Sequence, residues 1–145
     1  MRLATALVLS LFIFGCNNQT ANNETKNAID ESVTEKVLKH HWDAFQANDL
    51  EETMADYTEE SVLITPDRTY TGLTEIRENF VNAFAAFPRD SATLTLDKSV
   101  VSKDVGYILW KASTPKFNLT YATDTFIITD GKILRQTYAG VASPL

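Results

Sequence analysis

The stretch Asp124-Thr125-Phe126-Ile127-Ile128-Thr129-Asp130-Gly131-Lys132-Ile133-Leu134 decides the fold of this chain. Its two flanks are rich in β-branched and aromatic residues, which favour strands. Between them, Asp130-Gly131 is typical of a two-residue hairpin turn, because glycine tolerates the positive φ that such a turn requires. The stretch therefore predicts two antiparallel strands joined by a tight turn.

The segments around this hairpin extend it into a sheet. Strands are predicted at Ala92–Ser102, Val105–Ser113, Asn118–Thr129 and Lys132–Val141, which are rich in Val, Ile, Thr, Tyr and Phe. A further strand is predicted at Ser61–Thr65, where Pro66-Asp67 stops it.

Helices are predicted before and between these strands. Apolar residues recur at helical spacing from Ile29 to Ala47. Asp49 followed by Glu52 resembles a capping box that opens a short helix ending near Ala55. A third helix follows Gly72 and ends at Pro88, since proline cannot continue a helix. Helices first and antiparallel strands second indicate an α+β domain spanning residues 29–145.

The beginning of the chain has the layout of an export signal. Arg2 precedes an apolar run that ends at Gly15-Cys16, and the run is too short for a stable transmembrane helix. A small residue followed by cysteine resembles the lipobox of bacterial lipoproteins. We therefore expect a signal peptide at 1–15 and a lipidated Cys16 with a flexible polar tether at 16–28. The alternative is an ordinary signal peptide with an incidental cysteine.

This interpretation places the domain outside the cytoplasm, anchored to a membrane. Asn17 stands where an inner-membrane retention signal often has aspartate, which favours the outer membrane if the source has one. The net charge of −6 disfavours a nucleic-acid partner. The sequence contains no phosphate-binding glycine loop and no paired-cysteine motif, so neither a cofactor nor a metal is indicated.

The order of several short motifs resembles the nuclear transport factor 2-like superfamily, and within it the SnoaL-like group. The motifs are Trp42-Asp43-Ala44-Phe45, Asn48-Asp49-Leu50, Tyr57-Thr58-Glu59-Glu60-Ser61-Val62, Gly72-Leu73-Thr74-Glu75-Ile76-Arg77, Asp124-Thr125-Phe126 and Asp130-Gly131-Lys132-Ile133. The resemblance implies a cone-shaped, curved antiparallel sheet packed on three N-terminal helices, with a pocket inside the cone. It also implies that members include isomerases, cyclases, hydrolases and dehydratases beside domains that only bind or assemble, so the fold alone does not settle the function.

Asp124 is the candidate catalytic residue. If Phe126 and Ile128 face the core, strand alternation puts Asp124 on the same face among apolar neighbours. Burial would raise its pKa toward the range of a general base. The alternatives are a structural hydrogen bond to a neighbouring strand, or exposure after a bulge. Many SnoaL-like members carry a second acid near the end of the last strand, where this chain has Ala139-Gly140.

Arg135 is the cation that could reach Asp124. A two-residue turn pairs Thr129 with Lys132, which places Arg135 opposite Phe126 and diagonal to Asp124. The salt bridge would lower the pKa of Asp124 and weaken its role as a base. A bulge would break this register.

The predicted ligand pocket is lined by Trp42, Tyr57, Phe80, Phe126 and Tyr138. Aromatic residues on such positions are also common as plain core packing. His41 follows the apolar stripe of the first helix and is interpreted either as a pocket residue or as a partly buried helix histidine.

Three functions are weighed for the domain. The preferred one is a membrane-tethered lipoprotein that binds a small, largely apolar molecule in the cone. The second is an isomerase, cyclase or hydrolase that uses Asp124 as acid or base. The third is an interaction module that forms a homodimer through the open face of its sheet.

Overall fold

The computed structural model describes residues 29–145, in which three helices pack against a six-stranded sheet. The elements are α1 (Glu31–Gln46), α2 (Leu50–Ala55), β1 (Val62–Ile64), β2 (Thr69–Thr71), α3 (Gly72–Ala86), β3 (Thr93–Ser102), β4 (Val105–Ser113), β5 (Phe117–Thr129) and β6 (Lys132–Pro144). The α+β fold class is confirmed. The predicted signal peptide, Cys16 and tether lie outside the described residues. Within 29–145, no helix combines the length and apolar character needed to cross a membrane.

Two aspartates set the first two helices. The Asp30 side chain accepts a hydrogen bond from the Ser32 N–H at 2.9 Å, so α1 begins two residues after the predicted Ile29. The Asp49 side chain accepts from the Glu52 N–H at 3.1 Å, as the capping pattern predicted. Each cap satisfies an N–H that a helix otherwise leaves without a partner.

Helix α3 begins at a glycine for a steric reason. Gly72 has a φ of 75°, and a Cβ there would lie 2.9 Å from the Oε2 atom of Glu59. The helix ends immediately before Phe87-Pro88, as predicted. On this helix Phe80 is buried, with its ring 6.2 Å from that of Phe45 on α1 and 5.7 Å from that of Tyr57.

The predicted hairpin is confirmed at the Asp130-Gly131 turn. Asp130 and Gly131 have φ values of 51° and 74°, the pair of positive angles that a type I′ turn requires. β5 and β6 then pair antiparallel along their whole length, with Thr129 opposite Lys132.

The sheet has the order β2-β1-β6-β5-β4-β3 and departs from the predicted strands at one edge. The short strand β2 was not predicted, since three residues, Thr69–Thr71, carry too little periodicity. β1 runs parallel to β6, with Val62 opposite Arg135, so the sheet is mostly rather than wholly antiparallel. A parallel contact between segments so distant in sequence leaves no local signal.

The sheet is interrupted by irregularities in register. One lies on β3 between Leu96 and Lys98, and one on β4 between Trp110 and Ala112. Two lie in the β5–β6 pair, between Leu119 and Tyr121 on β5 and at Leu134 on β6. Bulges bend a strand and increase its twist, which curves the sheet. The concave face packs against α1, where the Trp42 and Trp110 rings lie 5.8 Å apart. The predicted cone-shaped sheet on three helices is confirmed.

Candidate functional site

A cavity of about 480 Å³ lies between α1, α3 and the concave face of the sheet. Aromatic residues are the largest single group in its wall, namely Trp42, Phe45, Tyr70, Phe80, Phe87, Trp110, Phe126 and Tyr138. Polar side chains also line it, namely His41, Thr65, Asp67, Asn79, Asp124 and Gln136, and the exposed pair Pro66-Asp67 lies on its rim. An apolar pocket with a few convergent polar groups is the usual form of a small-molecule site.

Asp124 is the acid inside this cavity, and it is only 5% exposed. The indole N–H of Trp110 donates to its Oδ2 atom at 2.8 Å. The side-chain amide of Gln136 donates to its Oδ1 atom, also at 2.8 Å. Each carboxyl oxygen therefore receives one hydrogen bond from a neutral donor.

Burial raises the pKa of Asp124 above its ordinary value. The hydrogen bonds from Gln136 and Trp110, and the charge of His41, oppose this rise but do not cancel it. The carboxyl group is thus a stronger base than a solvent-exposed aspartate.

The neighbour of Asp124 on β6 is Gln136, and the register that would bring Arg135 to it is not formed. Leu134 has no partner on β5, so Arg135 pairs with Ile127 and Gln136 takes the position opposite Phe126. Side chains alternate with a period of two, so this single extra residue reverses which of the two faces the cavity. Arg135 is exposed and donates to the backbone oxygen of Glu60 at 3.0 Å.

Tyr57 supports the site from behind. It is 4% exposed and does not line the cavity. Its hydroxyl donates to the Oε1 atom of Gln136, which orients the amide so that its N–H groups face Asp124. Burial raises the pKa of Tyr57, so the phenol stays protonated and remains a donor.

His41 lines the cavity and belongs to a second cluster of titratable groups. Its Nδ1 atom lies 3.3 Å from Oδ2 of Asp56, and its Nε2 atom lies 3.3 Å from the Tyr57 hydroxyl. The exposed His40 has its Nδ1 atom 2.9 Å from Oδ1 of Asp56 and its Nε2 atom 3.2 Å from Oε2 of Glu52. Hydrogen bonding to Asp56 raises the pKa of His40. One buried carboxyl group is thus shared by a surface histidine and a cavity histidine.

The structure brings most of the predicted site residues together. Those that line the cavity are Trp42, Phe80, Asp124, Phe126 and Tyr138. Tyr57 lies outside the wall, and Cys16 lies outside the described residues. In residues 29–145, no group of three His, Cys, Asp or Glu side chains is arranged to hold a metal ion.

Trp110 and Gln136 are the site residues that the sequence reasoning missed. The buried residues Ile108, Trp110 and Ala112 alternate along β4, so periodicity could have placed Trp110 on the inner face. Its contact with Asp124 depends on the pairing of β4 with β5. Gln136 gave no such signal, because its inward position depends on the bulge.

Comparison with known proteins identifies the fold family. The family described as the SnoaL-like domain matches residues 38–136. None of the curated protein sequences compared with the chain matches it.

Solved structures give the same picture of the fold. A protein from Kribbella flavida, named as a candidate ketosteroid isomerase, has a TM-score of 0.67 and 16% identity, covering 79% of this chain and 82% of that one. A candidate polyketide cyclase from Sinorhizobium meliloti has a TM-score of 0.63 and 22% identity, covering 72% and 94%. A nuclear transport factor 2-like protein of unknown function from Mesorhizobium loti has a TM-score of 0.65 and 18% identity, covering 77% and 93%. At these identities the likeness concerns the fold alone.

Proposed function

This chain belongs to the SnoaL-like domain family, and we propose that its domain binds one small, largely apolar molecule in the cavity of the cone. We further propose that the domain does so as a lipoprotein tethered outside the cytoplasm. The cavity supplies eight aromatic side chains and one buried acid, Asp124, to orient the ligand.

The observation that carries the binding proposal is the buried carboxyl group of Asp124, held among aromatic side chains in a cavity of about 480 Å³. Ligand pockets of about 300–1,000 Å³ bury most of a drug-sized molecule. Each Å² of apolar ligand surface removed from water contributes about 25 cal/mol. The aromatic wall therefore provides affinity, and Asp124 fixes the orientation of one polar group.

Filling the cavity tests this proposal. Ala83 lines the cavity from α3, whereas Ala85 lies exposed on the same helix. We expect Ala83→Trp to abolish the thermal stabilisation produced by ligands from a panel of small apolar compounds, because the indole occupies their space. Ala85→Trp is the matched control and should leave the stabilisation intact. Equal binding by wild type and Ala83→Trp would contradict the proposal.

Catalysis by Asp124 is the second candidate function, and the raised pKa of this carboxyl group favours it. A desolvated carboxylate that accepts a proton near neutral pH can act as a general base. Two of the structural neighbours are named for isomerase and cyclase activities. Asp124→Asn keeps the shape of the side chain but removes the base. Turnover that is lost in this variant while ligand binding persists would favour the enzyme; a wild type with no turnover over a broad panel would favour binding alone.

The tether is tested independently of the cavity. If Cys16 is lipidated, metabolic labelling with a radioactive fatty acid marks the wild type and leaves Cys16→Ala unmarked, and the variant leaves the membrane fraction. Equal labelling of both proteins would overturn the tether and leave the cavity proposal untouched.

A further inference from the structure

We propose that the cavity selects organic cations, namely amines that are protonated at neutral pH and carry an apolar body, and that Asp124 is their counter-ion. This inference rests on the proposed function, since it names the class of ligand held in the same cavity. It follows from where the charges of the site lie.

Within residues 29–145, no lysine or arginine forms an ion pair with Asp124. Among the described residues that line the cavity, none is a lysine or an arginine. Its two hydrogen-bond donors, the indole of Trp110 and the amide of Gln136, are neutral. Donors to both oxygens suit an ionised carboxylate, which accepts at both atoms and donates at neither. A buried charge without an opposite charge is costly, so a cation that enters the cavity is stabilised there.

His41 is the basic group of the cavity wall, and the acid nearest to it is Asp56. It lies 3.3 Å from Asp56, whereas no contact within 4 Å joins it to Asp124 in residues 29–145. Asp56 in turn balances His40 as well. His41 therefore acts on Asp124 only from beyond 4 Å, and a ligand cation that contacts Asp124 directly is still stabilised there.

The rings beside Asp124 suit the same kind of ligand. Trp110, which holds the carboxyl group, has its ring 6.3 Å from that of Tyr138 and 5.8 Å from that of Trp42. The electron-rich faces of tryptophan and tyrosine attract cations, most strongly where water is excluded. A protonated amine can thus meet the carboxylate while its carbon atoms contact the rings.

The charges at the rim favour the entry of cations. Asp67 is exposed on the rim. Arg68, the cation next to it, packs over the Tyr70 ring at 4.7 Å, and its guanidinium lies 3.5 Å from Glu78. The charge of Arg68 is therefore partly balanced, and the net charge of −6 attracts cations to the protein as a whole.

The test compares three ligands with one skeleton and different charges: phenylbutylamine, phenylbutanol and phenylbutyrate. Isothermal titration calorimetry on the wild-type protein at neutral pH measures each affinity. We expect the amine to bind at least about tenfold more tightly than the alcohol, because close charge pairs that exclude water couple strongly. The carboxylate should bind most weakly, since Asp124 repels it.

Two variants identify the group responsible. Asp124→Asn should reduce the preference for the amine over the alcohol to about threefold or less, because the amide carries no charge. We expect this variant to fold, because rotation of the Gln136 amide gives the new side chain both a donor and an acceptor. Asp97→Asn is the control: it removes an equal charge from the exposed surface of β3 and should keep the full preference.

Each outcome of the comparison is decisive for the ligand class. If phenylbutanol binds the wild type as tightly as phenylbutylamine, the cation proposal is overturned, although a small apolar ligand still occupies the cavity. If Asp97→Asn loses the preference as fully as Asp124→Asn, the selectivity comes from net charge and the proposal is also overturned. If none of the three ligands binds, the proposal fails, and the apolar panel used with Ala83→Trp decides the proposed function separately. The comparison on the wild type does not depend on the folding of any variant.

Discussion

Replacing Gln136 with leucine should destabilise the protein by about 3 kcal/mol. The amide of Gln136 donates to Asp124 and accepts from the hydroxyl of Tyr57, and all three residues are about 5% exposed or less. Leucine can do neither, so an oxygen of the Asp124 carboxylate loses its partner and the Tyr57 hydroxyl keeps only the longer, 3.3 Å contact with His41. Each buried group left without a partner costs about 1–3 kcal/mol. The apolar surface that leucine adds to the core returns about 1 kcal/mol.

Equilibrium unfolding in urea measures this loss, with the fluorescence of the buried Trp42 and Trp110 as the signal. Thr137→Leu, an exposed change at the next residue of β6, should alter the free energy of unfolding by less than about 0.5 kcal/mol. The diagnostic step adds Tyr57→Phe. In the wild type this change removes the hydrogen bond to Gln136 and should destabilise, whereas in Gln136→Leu it removes a hydroxyl left with only the 3.3 Å contact to His41 and should cost less. An equal cost in both backgrounds would refute the network.

Four further outcomes are expected. Burial raises the pKa of Asp124 in the folded state. The free energy of unfolding of the wild type should therefore fall as the pH rises from the ordinary carboxyl range through that raised pKa. Urea unfolding from about pH 4 to pH 8 should show a smaller fall for Asp124→Asn. The pKa of His40 is raised in the folded state, so its contribution to stability is complete below the ordinary histidine pKa and is lost as the pH rises through the raised pKa. The pH dependence of unfolding for His40→Gln should lack this loss, and an NMR titration of the His40 ring should give the raised pKa directly. Gly131→Val forces a β-branched residue to a φ of 74° and should cost about 1–2 kcal/mol by thermal unfolding, while Thr129→Val just outside the turn should cost little. Tyr121 and Val141 are paired across strands on the outer face of the sheet and are 48% and 60% exposed, so we expect two copies of the chain to associate through this face. Light scattering should detect a dimer, and Val141→Lys should weaken it. A strict monomer at high concentration would contradict this expectation.

The local signals in the sequence were enough for most of the fold. The Asp130-Gly131 turn, the cap at Asp49 and the stop at Pro88 each depend on a few adjacent residues whose backbone preferences are strong. The inward position of Asp124 followed from the same logic, because Asp124, Phe126 and Ile128 share one face of β5. Features of this kind need no knowledge of the neighbouring strand.

The remaining features depend on contacts between distant segments. The parallel pairing of β1 with β6 joins residues that are far apart in sequence. The bulge at Leu134 is equally hidden, because the tight turn fixes only the first pairs after it, Thr129 with Lys132 and Ile128 with Ile133. Nothing in the run Ile133-Leu134-Arg135 marks which residue is left unpaired.

That one unpaired residue determines the electrostatics of the cavity. With Leu134 paired, Arg135 would face inward opposite Phe126, and its guanidinium would neutralise Asp124 within the protein. With Leu134 unpaired, the inward position belongs to Gln136, which donates a hydrogen bond without supplying charge. The cavity therefore keeps a carboxylate whose hydrogen-bond donors are neutral. Such a carboxylate can accept a proton from a substrate or pair with the positive charge of a ligand. The choice between general base and counter-ion thus depends on what enters the cone, since the protein supplies the same carboxylate for both.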